Sequence, residues 1–131
     1  MKVLSLDVPA KYQGGYVRWD SEHPNTYDTG SIIFDPHGSE SHDFNIIHQI
    51  LDSISPDIVI LEQPFLYSIA QIIGSAKAWC ARNQRTWWMI NAPKAKKLVM
   101  KNGRASKQEV FIWANKHITT DSQHICDALL Y

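Results

Sequence analysis

The chain has 131 residues and a mass of 15.0 kDa, the size of one domain with a core of its own. A formal net charge of zero and a 44% share of hydrophobic residues exclude a strongly charged chain and a disordered one. No apolar stretch approaches the ~20 residues of a membrane span, and no signal-peptide pattern is present, so we expect no membrane partner. Cys80 and Cys126 lack Cys-x-x-Cys spacing, which favours reduced, interior thiols in an intracellular, cytoplasmic protein.

The first part of the chain is predicted to form strands. Short apolar runs predict strands over residues 2–7, 16–19 and 31–34. Paired glycines predict a turn over residues 10–15, and a polar, proline-containing stretch predicts a loop over residues 20–30. These elements indicate a pair of opening hairpins.

The remainder alternates between helix and strand. Apolar residues at helical spacing predict helices over residues 43–54, 69–82 and 106–116, and a last helix from about residue 121. Strands are predicted over residues 58–61 and 86–90, whereas no element is predicted over residues 91–105. The order predicts a single α/β domain over residues 1–131, with a mixed sheet flanked by helices.

Acidic residues end two of the predicted strands. Asp7 closes the first strand, Glu62 follows the strand of residues 58–61, and Asp127 lies in the last helix. Carboxylates at the ends of two strands can lie side by side at one sheet edge, and a late helix can add a third. Such a cluster of oxygen ligands is typical of sites that bind Mg²⁺ or Mn²⁺ for phosphodiester chemistry.

A basic strip precedes the helix of residues 106–116. It contains no acidic residue, and it consists of Lys94, Lys96, Lys97, Lys101, Arg104 and Lys107. A local strip of this kind can bind a phosphate backbone on a neutral protein, although a solvated helix face would give the same pattern.

Four motifs together resemble a known family. They are Asp7 itself, Glu62-Gln-Pro-Phe65, Gly103-Arg-Ala-Ser-Lys107-Gln-Glu-Val110 and His124-Ile-Cys-Asp127-Ala-Leu129. In this order they resemble the RuvC-type Holliday junction resolvases of the ribonuclease H-like superfamily, including compact phage or viral members. The sequence departs from the family at Asp7-Val-Pro9, where Asp-Pro-Gly is usual.

The resemblance implies a ribonuclease H-like fold, in which a five-stranded mixed sheet is flanked by α-helices, and a homodimer. It places metal-binding positions at Asp7, Glu62, His124 and Asp127, with a histidine where many members have aspartate. It also implies that Phe65 inserts at the centre of the junction. The lysines that approach the cleaved strand match Lys96 and Lys107.

The expected function is a metal-dependent endonuclease that resolves branched DNA by paired symmetric nicks. Two ions, Mg²⁺ or Mn²⁺, would share the Asp7 carboxylate, and Lys107 would neutralise charge on the scissile phosphate. The products would carry 5′ phosphates and 3′ hydroxyls, and a viral member would act in the host cytoplasm. The expected dimer face is the stripe Ile69, Ile72, Ile73, Ala76 and Trp79.

Other interpretations stay open. A ribonuclease H-like nuclease acting on RNA–DNA hybrids needs the same metal site, and a non-catalytic DNA-binding domain would account for the basic strip alone. Phe65 fits core packing as well as a DNA wedge. Asp121 is expected to cap the last helix and is the alternative ligand to His124. Trp87 and Trp88 are expected in the core and at an interface.

Overall fold

Five strands form one sheet in the computed structural model, which describes residues 1–9, 12–35, 37–64, 66–120 and 122–131. The strands are β1 (Lys2–Asp7), β2 (Gln13–Asp20), β3 (Tyr27–Ile33), β4 (Ile58–Glu62) and β5 (Thr86–Ile90). Their order in the sheet is β3-β2-β1-β4-β5. The first three strands are antiparallel, whereas β4 is parallel to β1 and β5 is parallel to β4. The expected mixed α/β sheet is confirmed, with β1 at its centre.

Five helices flank this sheet in the described part of the chain. They are α1 (Glu40–Ile54), α2 (Tyr67–Arg82), α3 (Ala92–Met100), α4 (Lys107–Ala114) and α5 (Gln123–Leu130). Four of them begin at a side chain that accepts a backbone N–H, namely Ser39, Asn91, Ser106 and Ser122. These caps satisfy N–H groups that have no partner within the helix. None of the described helices has the length and apolar character needed to cross a membrane.

The helices form a layer on each face of the sheet. Helices α1 and α2 cover one face, where Leu4 and Leu6 of β1 and Val59 and Leu61 of β4 are fully buried. These residues alternate along their strands because successive side chains point to opposite faces. On the other face α5 packs against β1 and β2, and α3 and α4 pack against α5.

The apolar stripe of α2 belongs to the core, and its expected role as a dimer face is wrong. Each of its residues is at most 9% exposed in the single chain, and all of them pack in the cluster between the sheet and α1; they are Ile69, Ile72, Ile73, Ala76 and Trp79. Apolar residues at helical spacing show which side of a helix is buried. They do not show whether that side packs against the same chain or against a second copy.

Strand β5 lies at the edge of the sheet, and this exposes its aromatic residues. Trp88 is 61% exposed and Trp87 is 38% exposed, so the expectation that they pack in the core is wrong. Aromatic residues favour strands in general, and the sequence does not reveal which strand forms an edge. Cys80 and Cys126 are buried free thiols, as expected.

Several predicted boundaries shift in the structure. Strand β2 begins at Gln13 and contains both glycines of the predicted turn, and β3 begins at Tyr27 within the predicted loop because it pairs with β2. Helix α1 begins earlier than expected, at Glu40. Helix α3 lies in the basic strip, where no helix was predicted. Asn91 caps α3 and a proline occupies its first turn, which compensates for its weak apolar pattern.

Gly15 allows α5 to lie directly on the sheet. It pairs with Asp7 across β1 and β2. A Cβ at Gly15 would lie 2.7 Å from the backbone nitrogen of Ile125 and 2.8 Å from the carbonyl carbon of His124. No side chain fits at this contact, which therefore fixes how closely α5 approaches Asp7.

We expect Gly15→Ala to lower the free energy of unfolding by about 1–3 kcal/mol, because the added methyl group overpacks the contact with α5. The matched control is Gly74→Ala in α2, where an added Cβ meets nothing within 4 Å. Gly74→Ala should raise stability by up to ~1 kcal/mol, through helix propensity alone. Urea unfolding of both variants measures the difference, and equal effects would contradict the proposed close approach.

Candidate active site

The parallel pairing of β1 and β4 brings two carboxylates to one edge of the sheet. Leu6 pairs with Leu61, so Asp7 and Glu62 are the next residues on adjacent strands, and both strands run in the same direction. Asp7 is 8% exposed, whereas Glu62 is partly exposed. The juxtaposition expected from the sequence is therefore present.

Helix α5 brings the remaining two predicted ligands to the same edge. Ser122 begins the helix by accepting the backbone N–H of Ile125 at 3.4 Å. His124 and Asp127 follow at i and i+3, a spacing that places them on one helix face. The Nδ1 atom of His124 lies 2.7 Å from Oδ2 of Asp7, which joins the helix directly to the central strand.

Each carboxylate of the cluster has one partner at or near α5. His124 is the partner of Asp7, the amide of Gln123 donates to Oδ1 of Asp127 at 3.1 Å, and the hydroxyl of Tyr131 donates to Oε2 of Glu62 at 2.9 Å. Within the described residues, the second oxygen of each carboxylate accepts no hydrogen bond. The sequence interpretation gave no site role to Gln123 or Tyr131, although Gln123 lies four residues before Asp127 on the same helix face and Tyr131 directly follows the helix.

The electrostatic environment raises the pKa of all three carboxyl groups. Burial raises the pKa of Asp7 to about 7; its hydrogen bond to His124 opposes this shift, and the charges of Asp127 and Glu62 add to it. Burial also raises the pKa of Glu62 and that of Asp127. The carboxylates repel one another, so the cluster carries negative charge that its neighbours balance only in part.

Two of the predicted lysines act on this cluster. The charge of Lys96 lowers the pKa of Glu62 and of Asp127, and the charge of Lys107 lowers the pKa of Asp127. Lys96 is half-buried on α3, and Lys107 is exposed at the start of α4. The other basic residues of the strip lie exposed along α3 and the loop after it, namely Lys94, Lys97, Lys101 and Arg104.

The donor set fits a hard divalent cation. Three carboxylates with an open oxygen each match the ligands that Mg²⁺ and Mn²⁺ prefer. An imidazole that donates Nδ1–H to a carboxylate keeps Nε2 for a metal, and this is the usual arrangement of ligating histidines. The side chains are not already gathered around one point, since no three His, Cys, Asp or Glu residues within the described ranges are placed to hold one ion together.

A polar cleft opens beside His124. It has a volume of about 390 Å³ and lies between strands β2 and β3 and the start of α5. Its lining residues are Gln13, Gly14, Ser31, Ile33, Ser122, Gln123 and His124. The sequence interpretation missed this cleft, because it assigned Gln13 and Gly14 to a turn and did not show that α5 packs beside β2 and β3. It lies next to the cluster because His124, which contacts Asp7, forms part of its wall.

Two residues singled out in the sequence lie outside the described residues. These are Phe65, the candidate DNA wedge, and Asp121, the alternative ligand. The role of Phe65 stays a prediction. The cap of α5 is Ser122.

Solved structures with this fold include two Holliday junction resolvases. Thermus thermophilus RuvC matches with a TM-score of 0.75 and 17% identity over 99% of this chain and 90% of that one. Its complex with a Holliday junction substrate matches with a TM-score of 0.76 and 16% identity, over 99% and 89%. Fowlpox virus resolvase in complex with Holliday junction DNA matches with a TM-score of 0.65 and 22% identity, over 98% and 92%. No protein-family model and no curated protein sequence matches the chain. The chain therefore has the same fold as these two resolvases along nearly its whole length.

Proposed function

We propose that this chain is a metal-dependent endonuclease that resolves four-way DNA junctions. The observation that carries the proposal is the convergence of Asp7, Glu62 and Asp127 from two strands and a helix at one sheet edge. Burying carboxylates beside one another costs stability, and a protein keeps such an arrangement where function requires it. The similarity in fold to two resolvases whose structures contain Holliday junction DNA supports the choice of substrate.

Asp7, Glu62, Asp127 and His124 would hold the divalent ions, two of them in the proposal. When bound, Mg²⁺ or Mn²⁺ would supply Lewis-acid activation of the attacking water and of the phosphodiester. Asp7 is suited to a shared position because it lies on the central strand, between Glu62 and α5. The hydrogen bond from His124 to Asp7 would orient both side chains before an ion arrives.

The lysines divide into two groups according to whether their charge acts on the acidic cluster. Lys96 and Lys107 are close enough to act on the carboxylates, so they would contact the scissile phosphate and stabilise charge that develops there. Lys94, Lys97 and Lys101 are exposed along and just after α3 and would contact the phosphate backbone further away. The cleft beside His124 would take the strand on the other side of the cluster.

Paired nicks need two copies of the site, and we propose a two-fold homodimer for this reason. Each site would leave a 5′ phosphate and a 3′ hydroxyl. Because the apolar stripe of α2 is buried within the chain, the dimer must use another surface. Light scattering of the protein alone and with a four-way junction tests the number of copies.

Removing the metal-binding charge should separate cleavage from binding. Asp7→Asn and Glu62→Gln keep the shape of the side chain but remove a ligand charge, so we expect each to abolish junction cleavage. Junction affinity in EDTA should be unchanged or tighter, because one carboxylate fewer repels the phosphates. Nicking of a labelled junction and an electrophoretic mobility shift measure the two effects. Cleavage by either variant at more than a few per cent of the wild-type rate would show that the site is misplaced.

The substrate panel for these assays is a four-way junction, a plain duplex and an RNA–DNA hybrid, each with Mg²⁺, Mn²⁺ or EDTA. The proposal expects cleavage of the junction with metal and little cleavage of the other two. Preferred cleavage of the hybrid would favour a ribonuclease H-like nuclease. Tight junction binding without cleavage in either metal would favour a non-catalytic DNA-binding domain.

Single lysine substitutions should distinguish the two groups. Lys96→Ala and Lys107→Ala should reduce the cleavage rate far more than the affinity for junction DNA. Lys94→Ala, Lys97→Ala and Lys101→Ala should instead weaken binding and reduce the salt dependence of the affinity by roughly one unit of slope each. Titrations at several salt concentrations measure this slope. Purely affinity-based losses of similar size at all five positions would point to a general basic face.

The raised pKa of Asp7 predicts how stability depends on pH without metal. Below about pH 4 the carboxyl is protonated in both the folded and the unfolded chain, so it has no effect. As the pH rises to about 7, the unfolded chain releases this proton while the folded chain retains it, so stability falls. In EDTA at pH 8, Asp7→Asn should therefore raise stability by about 1 kcal/mol or more, which is several degrees in Tm. The gain should shrink as the pH falls towards 5.

Bound metal should make the wild-type protein more stable than Asp7→Asn, the reverse of the order expected in EDTA. Mn²⁺ at 100 times its Kd would stabilise the wild-type protein by ~2.7 kcal/mol and leave Asp7→Asn almost unchanged. Thermal unfolding of both proteins at pH 5 and pH 8, with EDTA and with Mn²⁺, measures both effects. A wild-type protein that is at least as stable as the variant in EDTA at pH 8 would contradict the repulsion described for the cluster.

A further inference from the structure

Tyr131 connects α5 to β4 through the side chain of Glu62. Its hydroxyl donates to Oε2 of Glu62 at 2.9 Å, across 69 residues of sequence. Its ring is partly buried and packs against the apolar cluster formed by Ala95, Ala105, Val110, Ala114 and Cys126. A ring packed in this way directs the hydroxyl to a fixed point at the edge of the acidic cluster.

We propose that Tyr131 is a positioning residue that fixes Glu62 for metal binding and so sets the metal affinity of the site. This inference rests on the proposed function, because it takes Glu62 as a metal ligand. It assigns a role to the residue that follows α5, which none of the motifs in the sequence includes.

The hydrogen bond restrains the carboxylate that most needs restraint. Glu62 has a longer and more flexible side chain than Asp7 or Asp127, and it is the more exposed of the two strand-end acids. Within the described residues, the hydroxyl of Tyr131 is the one hydrogen-bond donor to its carboxylate. Holding Oε2 leaves Oε1 as the oxygen for the ion, and it removes most of the rotamer entropy that binding would otherwise cost.

The same bond sets the distance between two parts of the site. Glu62 lies on β4, whereas Asp127 and His124 lie on α5. The hydrogen bond from Gln123 to Asp127 joins residues of one helix and cannot relate that helix to the sheet. The bond from His124 to Asp7 joins α5 to β1, and the bond from Tyr131 to Glu62 joins the end of α5 to β4, so together they tie the helix that carries two proposed ligands to the strands that carry the other two.

Tyr131→Phe tests the proposal because it removes the hydroxyl and keeps the ring. Calorimetric titration of the protein alone with Mn²⁺ should give a Kd about tenfold higher than that of the wild type, or more, as is typical for loss of a partner of a metal ligand. Circular dichroism confirms that the variant is folded. Tyr27→Phe is the matched control, because Tyr27 lines the same groove as Tyr131 and its hydroxyl makes no hydrogen bond within the described residues. Its Kd should equal that of the wild type.

The metal dependence of cleavage gives a second readout. For Tyr131→Phe the Mn²⁺ concentration at half-maximal rate should rise about tenfold, whereas the rate at saturating Mn²⁺ should stay within about threefold of the wild type. A purely structural role for Tyr131 would lower the maximal rate or the stability and leave the metal midpoint unchanged.

Asp7→Asn separates failure of this inference from failure of the proposed function. If Asp7→Asn abolishes Mn²⁺ binding and Tyr131→Phe binds like the wild type, the role of Tyr131 is wrong and the metal site stands. If wild type and Asp7→Asn fail alike to bind Mn²⁺, the metal site is wrong and the role of Tyr131 falls with it. The inference is supported if Tyr131→Phe binds Mn²⁺ with a higher Kd than the wild type while the Kd of Tyr27→Phe is unchanged.

Discussion

The burial of Asp7 beside the partly buried carboxylates of Glu62 and Asp127, which repel it, is the constraint on which the rest of the site depends. Folding brings these groups together without a cation, and burial disfavours their charged forms. The chain offsets this with one hydrogen bond for each carboxylate and with two nearby lysines. Packing alone would favour apolar residues at these positions. The arrangement therefore lowers the stability of the metal-free protein and makes the site attractive to a divalent ion.

The rigidity of the site comes from regular structure. Two of the carboxylates end paired strands, and α5 reaches the same edge because Gly15 lets its backbone lie directly on β2. Small residues near this contact, such as Ala128, are fully buried and allow the approach. Side chains carried by strands and by a closely packed helix are placed more accurately than side chains on loops. Metal coordination and attack on a phosphodiester both require that accuracy.

The sequence predicted the elements and the residues that meet at the acidic cluster better than it predicted their surroundings. Strand-end acids and helical spacing are local signals, so Asp7, Glu62 and Asp127 could be found from the pattern, and the resemblance in motifs added His124. Strand order and side-chain exposure depend on contacts between residues that are distant in the sequence. The local pattern therefore could not show that Trp88 lies on an edge strand or that the apolar stripe containing Ile73 is buried in the core. From the sequence alone, Gly15 fits a turn as well as a position where two backbones lie in close contact. Tyr131 was overlooked because it follows the last helix and its partner, Glu62, is 69 residues away in the sequence.

The formal net charge of zero conceals a separation of charge that suits the proposed function. Asp7 is buried and Glu62 and Asp127 are partly buried, whereas four basic residues of α3 and of the loop after it remain exposed, namely Lys94, Lys97, Lys101 and Arg104. An incoming phosphate backbone would therefore meet positive charge before it reaches the carboxylates. The order β5, α3, α4 and α5 along the chain places the strip between the edge strand and the helix that carries His124 and Asp127. The charges of Lys96 and Lys107 act on the carboxylates, and in the proposed function the same two lysines would contact the approaching strand, so that binding and chemistry would share one surface.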